Sequence, residues 1–325
     1  MPLLRSHHPI IHGPLLLCGF LGTLIGLEKA KAIERWWAYL APGLAAAGVF
    51  AMILQVDPFA ASVAFSLASM VLTLVFGALL RRHFDAAGVV MLAGALVWLA
   101  GNLLWLTGSS IPTAVGWWLA FPVLIILGER LELSRIIPKS GAVLAAFVGA
   151  VAVYVAGLVL FLWHLDSGLR AQGIGMLLVA VWLLRHDLAR RTVRSPGVHR
   201  YTALCLLAGY FWLALAGGMA TIWGADLQGL RYDALLHAIT LGFVFGMIFG
   251  HVPIIAPMLL GRRIAFDDLF YAPLILLQVS LVVRIGSDLA AWLPGRSWGA
   301  LLNAVALLGF LVTAVRGVVR GEKLG

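Results

Sequence analysis

The stretch DALLHAITLGFVFGMIFGHVPIIAPMLL, residues 233–260, carries no Asp, Glu, Lys or Arg after its first residue. A helix that crosses a bilayer needs about 20 mostly apolar residues, so this stretch predicts a membrane span. The whole chain of 325 residues has a similar composition, with 62% hydrophobic and only 11% charged residues. A soluble domain carries about 25% charged residues. The composition therefore excludes a soluble globule, a disordered protein and a disulfide-rich scaffold.

Eleven apolar stretches of this kind follow one another along the chain, joined by short connections. They are 10–28, 36–55, 59–80, 88–107, 111–128, 141–163, 171–184, 201–223, 233–260, 270–293 and 297–317. The seventh is the shortest. We predict an all-α integral membrane protein, a bundle of about 11 transmembrane helices that forms a single polytopic domain over 1–325.

Lys and Arg are distributed unevenly between the two sides that these spans define. Eighteen of the 23 basic residues lie after odd-numbered spans, four lie on the opposite side, and Arg284 lies within a span. Because cytoplasmic loops retain positive charge, we expect the N-terminus outside and the C-terminus in the cytoplasm, in the inner (plasma) membrane. The net charge of +9 then reflects topology and contact with anionic lipids. The expected partner is the lipid bilayer, and no nucleic acid.

Three histidines, His7, His8 and His12, precede or begin the first span. Neutral imidazole is a common ligand of copper, zinc and haem iron, so the three could form part of a metal site. The alternative for His7 and His8 is a solvated N-terminal tail. His12 lies within the predicted span.

The ninth span holds two further candidate ligands, His237 and His251, fourteen residues apart. At about 100° per residue in an α-helix, their side chains point in nearly the same direction. Gly242, Gly246 and Gly250 are spaced by four residues on another face, which predicts close approach by a second helix there. The alternative for the histidines is hydrogen bonding inside the bundle.

Arg284 and Asp288 lie four residues apart in the tenth span and can pair. One interpretation is a self-neutralising pair that reaches towards the membrane interface. The other is an anion site, in which Arg284 binds a group such as a haem propionate and Asp288 holds the arginine in place.

The direction of each span sorts these residues into two layers. His12 and His237 share the outer layer with the Arg284 and Asp288 side chains, which supports an outer metal or haem site. Glu28 and His251 share the inner layer and form a possible proton relay, because ionisable groups at membrane depth are costly and often functional.

Other sequence features are less informative. Three histidines, His83, His186 and His199, lie in predicted cytoplasmic loops, where we expect them to be solvated. The chain contains no Walker loop and no Cys-x-x-Cys-His motif. ATP-driven pumping by this chain and covalent c-type haem are thereby excluded.

The segments 12–28, HGPLLLCGFLGTLIGLE, and 237–251, HAITLGFVFGMIFGH, resemble the NnrS-like membrane proteins. That family is described as polytopic, haem- and copper-containing and active in resistance to nitric oxide, and it is distantly similar to the catalytic subunit of haem–copper oxidases. The resemblance implies haem b or copper as the cofactor, with His12 and His237 as its first ligands and His251 as the next. This chain is shorter than the family, has eleven spans rather than about twelve, and lacks an adjacent His-His pair within a span.

Three functions are compatible with these observations. The first is a haem- or copper-binding protein for redox chemistry or nitric-oxide defence, with a redox partner. The second is a proton-coupled transporter of a small molecule or ion, in which Glu28 and His251 relay the proton and Pro253 and Pro257 break the ninth span. The third is a non-catalytic membrane subunit of a larger complex.

Overall fold

The computed structural model describes residues 12–261 and 264–321. Within those residues the chain is 87% helical and contains no strand. The predicted all-α class is therefore confirmed.

The α-helices are numbered here in chain order, with their observed bounds. They are α1 (Leu21–Ile33), α2 (Leu40–Ile53), α3 (Pro58–Arg82), α4 (Ala86–Leu106), α5 (Ile111–Leu133), α6 (Gly141–Leu160), α7 (Leu165–His186), α8 (Ala189–Thr192), α9 (Val198–Trp223), α10 (Gly229–His237), α11 (Gly246–Leu260), α12 (Tyr271–Leu289) and α13 (Leu293–Arg320). Two π-helical segments join this series: Leu15–Phe20, before α1, and Ala238–Phe245, between α10 and α11.

Ten helical stretches of the described chain are long and apolar enough to cross a membrane, as expected for a multi-pass membrane protein. They correspond to the second to eleventh predicted spans. The first predicted span corresponds to the helical residues 12–33, which include Glu28, Lys29 and Lys31 near their end. The exact count of eleven and the orientation of the termini stay predictions.

The seventh span is longer than its apolar run of 171–184 suggested. Its helix, α7, begins at Leu165, because Asp166 and Arg170 pair across one turn and so extend the helix beyond the apolar residues. The pair makes this end of the helix polar, which concealed it in the sequence.

Side chains that accept hydrogen bonds from the first turn fix where several helices begin. Asp57 accepts from the N–H of Phe59 at 2.9 Å, and Pro58 occupies the first position of α3. Asp85 caps α4 in the same way, through the N–H of Gly88 at 2.6 Å.

The contacts divide the chain into two compact units, Met1–Glu132 and Leu133–Gly325. In the first unit a buried polar network connects the first π-helical segment, α3 and α4. The amide of Asn102 donates to Ser69 Oγ and to the carbonyl of Phe65, both at 3.1 Å, and its oxygen lies 3.4 Å from Cys18 Sγ. Such bonds hold helices together where no water is available.

In the second unit α9 packs against α7, α11 and the second π-helical segment. A Cβ added to Gly242 would overlap the Trp212 side chain, and one added to Gly250 would lie 3.0 Å from Cys205 Cβ. At Gly246 the nearest atom would be the Cys205 carbonyl oxygen, at 3.6 Å. The predicted close packing of the three glycines against another helix is confirmed, and its tightest point is Gly242.

The second π-helical segment changes one expectation about this helix. Wider turns rotate each residue by less than 100°, so the calculation that aligned His237 with His251 does not hold across Ala238–Phe245. The predicted break at Pro253 and Pro257 is wrong, because α11 runs through both prolines. The irregular part of the helix lies earlier, directly after His237.

The outer faces of the helices are apolar. On α13 the side chains of Leu301, Leu308, Val312 and Val319 are all exposed, with Val319 at 70%. An exposed apolar row of this length is costly in water and suits contact with lipid.

Candidate functional site

Two residues of the apolar stretch 233–260, Asp233 and His237, lie one turn apart on α10. The imidazole Nδ1 of His237 lies 2.7 Å from the Asp233 carbonyl oxygen and 3.4 Å from its carboxylate Oδ2. With the proton on Nδ1, the ring donates to the carbonyl and is held in one orientation. Nε2 is then the ring nitrogen that would coordinate a metal.

Two arginines from other helices meet the same carboxylate. Arg284 of α12 donates from Nη2 to Asp233 Oδ2 at 3.1 Å, and Nη2 of Arg296, in α13, lies 3.2 Å from Asp233 Oδ1. Nε of Arg296 lies 3.1 Å from Asp288 Oδ1. We call Asp233, His237, Arg284, Asp288 and Arg296 the Asp233 cluster.

This arrangement differs from the Arg284–Asp288 pair expected from the sequence. Arg284 bonds Asp233, and Asp288 pairs with Arg296 instead. The four-residue spacing allows the pair, but α10 packs against α12 and α12 against α13, and these neighbours bring Asp233 and Arg296 into reach. Each cation therefore has a partner from another helix.

The Asp233 cluster is formally neutral when its imidazole is neutral, with two carboxylates and two guanidinium groups. The side chain of Asp288 is fully buried, that of Arg284 is 13% exposed, and that of Arg296 is 37% exposed. Among the described residues, Arg284 Nε is buried and has no hydrogen-bond partner. The cluster thus has one buried donor that the described chain leaves without an acceptor.

Sequence reasoning missed Asp233 and Arg296 as members of this site. Asp233 opens the decisive stretch and stands four residues before His237, a spacing that places both on one helix face. Arg296 belongs to the four basic residues on the predicted outer side, so its rarity there was a usable signal.

The other predicted residue of this helical stretch, His251, lies on α11 and is half-buried. Its Nδ1 lies 2.6 Å from the carbonyl oxygen of Met247. Like the ring of His237, the ring of His251 is therefore oriented by the carbonyl of the residue one turn earlier. His251 is not part of the Asp233 cluster.

The first unit has an ionic group of its own, near the end of α1. Lys29 Nζ donates to Glu28 Oε1 at 2.7 Å and to Glu129 Oε1, on α5, at 2.6 Å. Lys29 is only 8% exposed. We call these three residues the Lys29 cluster; it gives Glu28 a cationic partner that the sequence analysis did not anticipate.

The remaining predicted ligands are placed as follows. His12 begins the helical stretch before the first π-helical segment and is exposed. His7 and His8 lie outside the described residues. Joint ligation by His12 and His237, and a relay between Glu28 and His251, stay predictions. In 12–261 and 264–321 no group of three or more His, Cys, Asp or Glu side chains is placed to hold a metal ion.

The model of a family described as a domain of unknown function, DUF8744, matches residues 1–319. No curated protein and no solved structure matches the chain.

Proposed function

We propose that this chain, which belongs to the DUF8744 family, is an integral membrane protein that binds haem b or copper and serves redox chemistry or defence against nitric oxide. The observation that carries the proposal is the oriented imidazole of His237. Its Nδ1 faces the Asp233 carbonyl at 2.7 Å and the Asp233 carboxylate at 3.4 Å. Metal-ligating histidines are held in this way by a carbonyl or carboxylate behind the ring.

The charged groups around His237 are of a kind that could bind the propionates of a haem. Arg284 and Arg296 contact the same carboxylate, Asp233, that the imidazole contacts, and a guanidinium group can bind a carboxylate such as a propionate through two hydrogen bonds. Arg284 Nε provides a further buried donor. His237 would bind the haem iron, the two arginines would hold the propionates, and Asp233 would keep the imidazole in place.

A haem or copper ion bound there would supply one-electron chemistry and a binding position for a small diatomic molecule. Each residue would then have its own role. His237 would bind the metal, Asp233 would orient the imidazole, and Asp288 would balance the charge of Arg296. His12 is proposed as a second ligand, and His7, His8 and His251 as further candidates for copper. The electron donor would be a redox partner at the membrane.

The test is the visible spectrum and copper content of the full-length protein, purified after expression with both haem precursor and copper supplied. We expect a Soret band or stoichiometric copper in the wild type. His237→Ala should lose most of it, whereas His199→Ala, an exposed histidine outside the Asp233 cluster, should retain it. Arg284→Ala should lower occupancy less, because it removes an orienting contact and no ligand. Wild-type protein with neither haem nor copper would overturn the proposal.

The orientation belongs to the same proposal, because an outer site needs an outer Asp233 cluster. The uneven distribution of Lys and Arg supports an outside N-terminus in the inner membrane. A reporter that is active only outside the cytoplasm should be silent when fused after Gly325 and active when fused after His164. The reverse pattern would contradict the orientation.

A second candidate function, a proton-coupled transporter, is favoured by the Lys29 cluster. A nearly buried lysine that binds two carboxylates is a costly arrangement, and such groups in membrane segments often mark ion or proton pathways. Proton uptake by proteoliposomes would test it, with Glu28→Gln expected to abolish uptake. Uptake that is the same in the variant would exclude this role for Glu28.

A further inference from the structure

Away from both ionic groups, the second unit contains a pocket of about 590 Å³. It lies where the connection between α5 and α6 meets the end of α7 and the short helix α8. Its volume falls in the range of small-molecule sites, which is roughly 300–1,000 Å³. The sequence predicted only a basic loop in this region, and the structure shows that the loop forms a pocket.

The lining of this pocket is strongly cationic. Lys139, Arg185, Arg190, Arg191 and Arg194 all line it, and the single acidic residue among its lining residues is Asp187. The Asp187 carboxylate accepts a hydrogen bond from the N–H of Ala189 at 2.7 Å, and the residue is only 2% exposed. The positive charge therefore greatly exceeds the negative charge available nearby.

Within residues 12–261 and 264–321, no carboxylate neutralises these four arginines. In the part of the chain that the structure describes, none of Arg185, Arg190, Arg191 and Arg194 forms an ion pair with a carboxylate. The one hydrogen bond among their side chains runs from Arg190 Nη1 to the Arg185 carbonyl, at 3.1 Å. Four guanidinium groups brought together repel one another, and a bound anion removes that cost.

Lys139 has a structural role at the rim of the pocket. Its amine donates to the carbonyl and hydroxyl oxygens of Ser134 and lies 5.8 Å from the centre of the Trp182 ring. Burial lowers the pKa of this amine, although Asp187 acts in the opposite direction. The arginines, not the lysine, are thus the groups available for a ligand.

The neighbouring helix end adds to the positive potential. Ser140, the N-cap residue of α6, and Val143, in the first turn of that helix, line the pocket. The N-terminus of a helix carries partial positive charge. We expected His186 to be solvated, but its ring packs on Trp182, with 5.1 Å between the ring centres, and it lines the pocket. Membrane topology requires only that basic residues lie in this loop; it does not require that they converge on one pocket beside a helix N-terminus.

We propose that this pocket is a binding site for a phosphate-bearing anion, held by Arg185, Arg190, Arg191 and Arg194. Planar guanidinium groups bind phosphate oxygens in pairs, which makes arginine the residue best matched to this ligand. The phosphate can belong to a free phosphorylated molecule or to the headgroup of an anionic phospholipid. The site is independent of any metal bound at the Asp233 cluster.

The test uses the full-length protein in nanodiscs of phosphatidylcholine, titrated with pyrophosphate at constant ionic strength, with sodium chloride as the matched salt. A second arm uses nanodiscs that contain phosphatidylglycerol. We expect a rise in the apparent unfolding temperature in at least one arm. A rise with pyrophosphate identifies a free phosphate ligand, and a rise with phosphatidylglycerol alone identifies the lipid headgroup.

The variant Arg191→Gln/Arg194→Gln removes two arginines whose side chains form no hydrogen bond with other described residues, so the fold should be unaffected. It should weaken the response about tenfold, as expected for losing charge-assisted hydrogen bonds. The control Arg81→Gln/Arg200→Gln removes the same charge from exposed positions outside the pocket and should respond like the wild type. The absence of a rise in both arms, or equal responses from both double variants, would overturn the proposal.

Discussion

The Lys29 cluster and the Asp233 cluster both balance buried charges between helices, but the sign of the central charge is opposite. In the first unit a single cation lies between two carboxylates, Glu28 and Glu129. In the second unit the central group is the carboxylate of Asp233, which lies between two guanidinium groups, and a second carboxylate, Asp288, contacts only Arg296. Each group links helices that are distant in sequence.

The difference between the two is chemical adaptability. A carboxylate that loses its cation can take up a proton and become neutral, whereas a guanidinium group stays charged at every physiological pH. The Lys29 cluster can therefore relax when its centre is removed. The Asp233 cluster cannot, so Asp233 should be the more critical of the two central residues.

The largest effect is expected for Asp233→Asn. The substitution leaves Arg284 and Arg296 as two positive charges without their shared carboxylate, which should cost about 3 kcal/mol of stability. Thermal unfolding in detergent measures this loss, with Asp226→Asn, an exposed residue of the same unit, as the control. An unfolding temperature equal to that of the wild type would show that the arginines do not depend on Asp233.

Lys29→Met should have the second largest effect, about 2 kcal/mol at neutral pH, because two carboxylates are left close together. The loss should diminish as the pH falls from about 8 to about 5, because protonation removes their repulsion. The Asp233→Asn defect should not recover over the same interval. If both variants respond to pH alike, the contrast between the clusters is wrong.

A smaller effect is expected where the helix that carries His237 packs on α9. Gly242→Ala places a methyl group against Cβ and Cγ of Trp212, which cannot move away without the backbone, and should cost about 1 kcal/mol. Gly246→Ala has more room and should be nearly neutral, although Gly246→Leu should lose most of the folded yield. Thermal unfolding of the two alanine variants tests the order directly. Equal losses would mean that the contact at Trp212 adjusts freely.

The smallest effect is expected for Asp166→Asn at the start of α7. Asp166 pairs with Arg170 at 2.8 Å, but both side chains are largely exposed, at 50% and 42%. Water compensates for the loss of such a pair, so the unfolding temperature should not change measurably. A clear loss here would show that the number of ion pairs, and not their burial, determines the stability of the two units.

The helices could be predicted from the sequence because membrane spans are long, apolar and separated by charged connections. The exceptions have local causes: the charged pair Asp166–Arg170 concealed the start of α7, and the π-helical turns after His237 have no apolar pattern that distinguishes them. The glycine spacing in 242–250 correctly predicted that a second helix packs closely on this stretch. A glycine permits close approach simply because it has no side chain, whatever the neighbouring helix is.

The candidate site was predicted only in part. His237, Arg284 and Asp288 were selected because ionisable residues within apolar runs are rare, and the structure brings all three into one cluster. The pairing itself depends on which helices are neighbours, and no local pattern contains that information. Asp233 and Arg296 were therefore overlooked, although they connect the other three.

The two prolines inside α11 have a consequence for the motion of the helix. Pro253 and Pro257 lack an N–H group, so the carbonyl oxygens of Phe249 and Pro253 lose the donor that a regular helix supplies. Two missing bonds one turn apart make bending less costly there. Immediately before them, the hydroxyl of Thr202 donates to the Gly250 carbonyl at 2.8 Å and fastens the helix to α9. Bending at the end of α11 should therefore cost less free energy than bending in its glycine-packed part, which Thr202 and the contacts with α9 hold in place.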